Sequence, residues 1–129
     1  NIKGIHTAFE NSSVILERKI QIDKFQKHIS IIDNLESGTD NEHKAFFYLH
    51  FHPNVDLQHS KDTVILKSNK EELKIKNKEF PKATIINGDE INPLGWFSAS
   101  YGKKVISNVL VLVINFRKKL ILETNVYYE

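Results

Sequence analysis

Apolar and polar residues alternate along most of this chain, with the two-residue repeat of an extended strand and almost no helical spacing. The clearest stretch runs from His43 to Pro53. Ala45, Phe47, Leu49 and Phe51 fall on one side of it, and Phe46, Tyr48, His50 and His52 on the other. Proline then stops it. One side is a core face, the other an aromatic surface carrying two imidazoles.

The same alternation predicts a first short strand over residues 3–9. A second covers Val14 to Ile22, where Val14, Leu16, Ile20 and Ile22 share a face, and a third Ile29 to Leu35. Arg18 and Asp33 violate the pattern, each a charge among apolar neighbours. If Lys24-Phe25-Gln26-Lys27 is a four-residue hairpin loop, Asp23 pairs with His28, Ile22 with Ile29 and Ile20 with Ile31. Arg18 then stands opposite Asp33. A charge on a core face is tolerated when paired and hydrogen-bonded, which predicts a structural ion pair. An arginine presented to an anionic ligand is the other reading.

Farther along, Val55 to Gln58 reads as a short edge strand. Thr63 to Lys67 and Glu72 to Lys76 flank Ser68-Asn69-Lys70-Glu71 as a hairpin pairing Val64 with Ile75 and Leu66 with Leu73. Lys67, Lys74 and Lys76 read as solvated. Phe80-Pro81 is a break, and Ala83 to Ile86 runs into Asn87-Gly88, a tight-turn signal requiring positive φ at both central residues. Pro93 to Lys104 is rich in aromatics, small residues and glycine. Val105 to Phe116 reads as a central strand, apolar on both faces from Val109 to Ile114, and Arg117-Lys118 turns it back into Leu120 to Tyr127. About ten antiparallel strands at hairpin spacing predict an all-β, two-sheet sandwich with little or no helix, a single domain over residues 1–129.

Composition narrows the function classes. The 129 residues contain no cysteine, which removes disulfides, thiol catalysis and thiolate metal sites. A net charge of +2 is compatible with an acidic polymer as ligand, but the lysines are scattered rather than grouped as in a nucleic-acid arm. The longest apolar run, Val109 to Ile114, is far short of the roughly 20 residues of a membrane helix. Neither nucleic acid nor membrane is an expected partner. With no methionine and Asn1 at its start, the chain is expected to be a processed product or a piece of something longer.

Phosphate-binding loops and nucleophile elbows are missing. His50-x-His52 is the one metal-like spacing, since residues two apart on a strand share a face. No third ligand is evident, so a metal site is not expected; hydrogen-bonded histidines and ligand contact are the alternatives. Trp96 and Tyr101 suit sugar-ring stacking through a flat apolar face and a polar edge, against core packing near the central strand.

Taken together, Arg18-Lys19-Ile20, Ile31-Ile32-Asp33-Asn34-Leu35, Leu49-His50-Phe51-His52-Pro53 and the Gly95 to Lys104 run (Gly-Trp-Phe-Ser-Ala-Ser-Tyr-Gly-Lys-Lys) resemble a known arrangement. It is similar to the C-terminal β-sheet domain of heparinase II/III-like polysaccharide lyases, in order and spacing over roughly residues 14–125. The resemblance implies the C-terminal part of a larger enzyme, with a helical toroid ahead of it as intrachain partner. Such enzymes cleave acidic, uronic-acid-containing polysaccharides such as glycosaminoglycans by β-elimination: the uronate carboxylate is neutralised, a base removes the C5 proton, and an acid protonates the departing oxygen. A periplasmic or extracellular setting is implied as well.

The family's catalytic Asn or His and Tyr lie mainly on the toroid. Its divalent-metal ligands and its β-domain histidine come from segments ending near a His-Asn-Thr run that this sequence lacks. Ile5-His6-Thr7-Ala8 echoes that run without the Asn, so His6 receives no role. The resemblance therefore implies no catalytic residue and no cofactor within these residues. Tyr48, His50, His52, Trp96 and Tyr101 are the candidates for substrate contact. A non-catalytic carbohydrate-binding or assembly module is the alternative.

Overall fold

The computed structural model describes residues 1–7, 11, 13–69 and 71–129. Twelve strands are formed by the described residues: β1 (Ile2–His6), β2 (Val14–Asp23), β3 (His28–Ser37), β4 (His43–His50), β5 (Asp56–Ser60), β6 (Thr63–Ser68), β7 (Glu71–Lys76), β8 (Thr84–Asn87), β9 (Trp96–Ser100), β10 (Lys103–Ile106), β11 (Asn108–Phe116) and β12 (Lys119–Tyr128). Seven make one antiparallel sheet, in the order β1-β2-β3-β12-β7-β6-β5. A smaller sheet, β4-β11-β8, faces it, and β9 and β10 form a separate hairpin. The all-β expectation holds.

Leu110 and Leu112 from β11 close the core against Leu122 of β12, Val64 of β6 and Ile75 of β7. Phe80 joins them from a 3-10 turn at Phe80–Lys82, where the sequence signalled only a break. The turn is tied down from the neighbouring edge, because the Phe80 carbonyl accepts a hydrogen bond from His59 Nε2 at 3.0 Å.

Local hairpins follow the sequence closely. Asp23 pairs with His28 and Ile20 with Ile31, and the 24–27 loop is capped by Asp23, whose Oδ1 accepts the N–H groups of Phe25 and Gln26. Val64 opposes Ile75 and Leu66 opposes Leu73. Lys70, in that hairpin's expected loop, lies outside the described residues, as do residues 8 and 9 of the first expected strand.

Three expectations change. Asn87-Gly88 makes no two-residue hairpin: only Gly88 has positive φ (59°), and β8 pairs with β11 rather than with the next strand. The Gly88 N–H is instead taken by the Gly95 carbonyl at 3.1 Å, a contact no local rule foresees. The long strand expected over 105–116 is interrupted at Ser107, whose N–H also bonds to Gly95 O (2.9 Å). Finally, the 93–104 run, for which the sequence pattern predicts no strand, contributes β9 and the start of β10, which raises the strand count.

Arg18 and Asp33 face each other across β2 and β3. Arg18 Nε and Nη2 donate to the two Asp33 carboxylate oxygens at 2.6 and 2.8 Å, a bidentate fork. Burial is unequal: the Asp33 side chain is 4% exposed and that of Arg18 47%. The Asp33 hydrogen bond raises the guanidinium pKa further, so Arg18 stays ionised.

This inequality predicts unequal costs. Arg18→Met strands a buried carboxylate and is expected to cost about 3–5 kcal/mol. Asp33→Leu leaves an arginine that can turn to water and should cost about 1–3 kcal/mol. The double variant should be more stable than Arg18→Met alone. Urea unfolding measures all three. The Arg18→Met deficit should also shrink on acidification, because a protonated carboxyl can remain buried. Single-variant costs both below about 1 kcal/mol would mark the pair as a surface contact.

Candidate functional site

Strand β4 carries its side chains in the alternation the sequence requires: Ala45, Phe47 and Leu49 turn inward, Lys44, Phe46, Tyr48 and His50 outward. Outward residues two apart stand one above the next, and here they stack. The Phe46 and Tyr48 rings lie 6.3 Å apart and within 8° of parallel; Tyr48 and His50 lie 6.2 Å apart at 24°. Across the ladder, Val113 faces Phe46 and Val111 faces Tyr48. Phe46 remains 55% exposed and Tyr48 42%, so the row is a surface platform rather than core. Its rings are near parallel on the surface, with the Tyr48 hydroxyl and the His50 imidazole as the polar groups of the row.

His52 departs from this row. The strand ends at His50, so the shared-face relation of a strand does not extend two residues on. Its Nδ1 accepts the Asn54 N–H at 3.2 Å, and its ring meets Phe97 of β9 edge-on at 4.9 Å. Among the described residues no three His, Cys, Asp or Glu side chains are grouped as a metal would need. One His52 nitrogen is engaged by the backbone, and the His50 ring is stacked on Tyr48.

Trp96 and Tyr101 sit at opposite ends of β9. Trp96 Nε1 donates to the Asp89 carbonyl (3.0 Å), and the Lys104 ammonium lies 3.9 Å from the indole centroid while binding Glu90 at 3.1 and 3.2 Å. Half-buried and covered, Trp96 has the surroundings of a structural residue. Beneath it, Asp89 has its carboxyl held below the usual range by the Asn92 side chain and by the backbone N–H groups of Asn92 and Ile91. Tyr101 is fully exposed at the hairpin tip, next to Gly102 at φ 73°.

The structure thus groups Tyr48 and His50 with Phe46, joins His52 to Phe97, and keeps Trp96 and Tyr101 apart on the hairpin. Phe46 was on the same face in sequence but lacked a polar atom to single it out. Phe97 carries no local signal, because its contact with His52 crosses between distant segments, and Lys104 reaches Trp96 across a hairpin that alternation does not reveal.

Gly95 holds the hairpin base. Its φ is 76°, and a side-chain carbon there would meet the Gly88 nitrogen at 2.5 Å and the Ile86 and Ser107 carbonyl oxygens at 3.0 Å. Only glycine fits.

A family model described as heparinase II/III-like, C-terminal, matches residues 1–123. Among solved structures, the heparan sulfate lyase HepC from Pedobacter heparinus superposes with a TM-score of 0.68 at 12% identity, covering 91% of this chain and 18% of that one. A mutant of the same lyase gives 0.67 at 14% identity, with the same coverages. At such identities the likeness shows the fold, and the chain spans under a fifth of the lyase's length. No curated protein matches the chain.

For His50 and His52 the expected outcome is that zinc added to the pure chain is lost on dialysis, since two weakly placed nitrogens do not retain it. Stoichiometric zinc that survives dialysis and disappears in His50→Ala would overturn this.

Proposed function

Because the chain belongs to the heparinase II/III-like C-terminal family, we propose that it is the β-sandwich portion of a lyase that degrades uronic-acid-containing polysaccharide by β-elimination, and that it is inert by itself. The observation that carries this reading is the family match along nearly the whole chain. In β-elimination a base must reach the C5 proton and an acid the departing oxygen, each within hydrogen-bond range. His50 is stacked on Tyr48, and His52 accepts the Asn54 N–H and meets Phe97. In this reading acid, base and any divalent metal belong to the rest of the polypeptide, the proposed helical toroid included.

The contribution of these residues is substrate contact. Phe46, Tyr48 and His50 form a flat row against which sugar rings can lie by their apolar faces. Tyr101 at the hairpin tip and Lys103 beside it offer a second contact, aromatic and cationic, suited to carboxylated or sulfated sugars. The exposed aromatic row also favours a second reading, a carbohydrate-binding module without a catalytic partner.

Incubation of the pure 129-residue chain with a panel of acidic glycans separates the two. No growth of ultraviolet absorbance from unsaturated uronate is expected, and activity should require the whole polypeptide. Absorbance growth from the isolated chain would refute the inert-portion reading. Tight binding of intact glycan, with no activity from the whole polypeptide, would favour the binding module. In either case Tyr48→Ala should weaken glycan binding about threefold to tenfold, the scale of one lost stacking contact.

A further inference from the structure

The two facing sheets differ in width by more than the core requires. Beside β4, the inner face of β2 lies open to a cleft of about 650 Å³ whose walls include Leu16, Arg18, Leu35, Ala45 and Phe47. Ile2 and Ile22 share that inner face by register and are 62% and 51% exposed. Among the described residues, this apolar strip has no facing layer.

The strand bordering this gap has an unguarded edge. The Phe51 N–H bonds to Asn108 O at 3.0 Å, so the odd-numbered residues of β4 exchange hydrogen bonds with β11. Lys44, Phe46, Tyr48 and His50 consequently direct their N–H and C=O groups away from β11, and among the described residues no strand takes them. Exposed edges are normally shortened, bulged or broken by proline. β4 runs unbroken from His43 to His50 in continuous register, with Lys44 as its one charge. By contrast β8, at the other edge of the same sheet, spans only Thr84–Asn87.

We infer that β4 accepts one further strand, supplied by the part of a lyase-length polypeptide outside these residues. This rests on the functional reading above, and on the chain spanning 18% of the structurally similar lyase. A strand laid about 4.8 Å from β4 sits above β2, at roughly the 10 Å spacing of packed sheets. Its inward side chains, every second residue, are apolar and rest on Leu16, Ile20 and Ile2; its backbone bonds to Lys44, Phe46, Tyr48 and His50. The added strand also closes the open side of the Arg18–Asp33 fork. Backbone pairing with alternate side-chain contacts is the usual chemistry of strand addition.

Amide hydrogen exchange tests this in the whole polypeptide and in the 129-residue chain. In the isolated chain, Phe47 and Leu49 should exchange slowly, and Phe46 and Tyr48 fast. In the whole polypeptide, Phe46 and Tyr48 should slow by about 100-fold or more. Equal exchange of these two amides in both would overturn the inference. So would protection in the isolated chain that rises with concentration alongside dimer in sedimentation, which would assign the edge to a second copy. Protected amides in a polypeptide without lyase activity would sink the functional reading alone; lyase activity with unprotected amides would sink this one alone.

Discussion

The larger sheet depends on a single insertion, that of β12 between β3 and β7. The first three strands form one meander and β5 to β7 another, and among the described residues only β12 joins them. It pairs with β3 from Lys119 to Tyr127 and with β7 from Asn125 to Tyr128. Leu122 enters the core, and Thr124 accepts a buried hydrogen bond from Asn77 (3.0 Å), which fixes the chain just beyond β7. Because β12 is last in sequence and β3 is early, the sheet closes only after a long loop has been ordered. Non-local pairing of this kind folds slowly, and the hairpins must be sound before it occurs.

That division explains what the sequence made legible. Within a hairpin, loop length and alternation set the register, so Arg18 opposite Asp33 and Val64 opposite Ile75 could be read directly. The Asn87-Gly88 turn misled because the Gly88 N–H is taken by the Gly95 carbonyl, which closes a longer loop in place of a tight turn. β9 was obscured for a related reason: Trp96 to Ser100 mixes aromatics with serine and alanine on exposed faces, leaving no alternation to detect. At the candidate site, the face shared by Tyr48 and His50 followed from period two. The covering of Trp96 by Lys104 and the seating of His52 on Phe97 did not, since each joins segments with no common repeat.

The two faces of β4 have different physical tasks. Inward, Phe47 and Leu49 pack against the core. Outward, the same strand presents a stacked aromatic row whose rings keep one another in place without burial. A platform on a regular strand is stiffer than one on a loop, because its spacing is set by the backbone and not by side-chain rotamers. The arginine–aspartate fork lines the same cleft as Phe46 and Tyr48, so charge and aromatic surface meet there.

The glycine that no side chain could replace has a consequence for how this fold tolerates change. With Gly95 wedged against Gly88 and Ser107, the hairpin of β9 and β10 is held at its base and, through Phe97, against His52. Its tip bears on nothing: Tyr101 is bare, and the space around Gly102 is empty to 4 Å. Residues could be added at Tyr101-Gly102 without disturbing the core, as at other exposed turns. Lengthening or re-decorating this finger is thus a route by which members of one fold can diverge in what they grip, while a single methyl group at position 95 would not be forgiven.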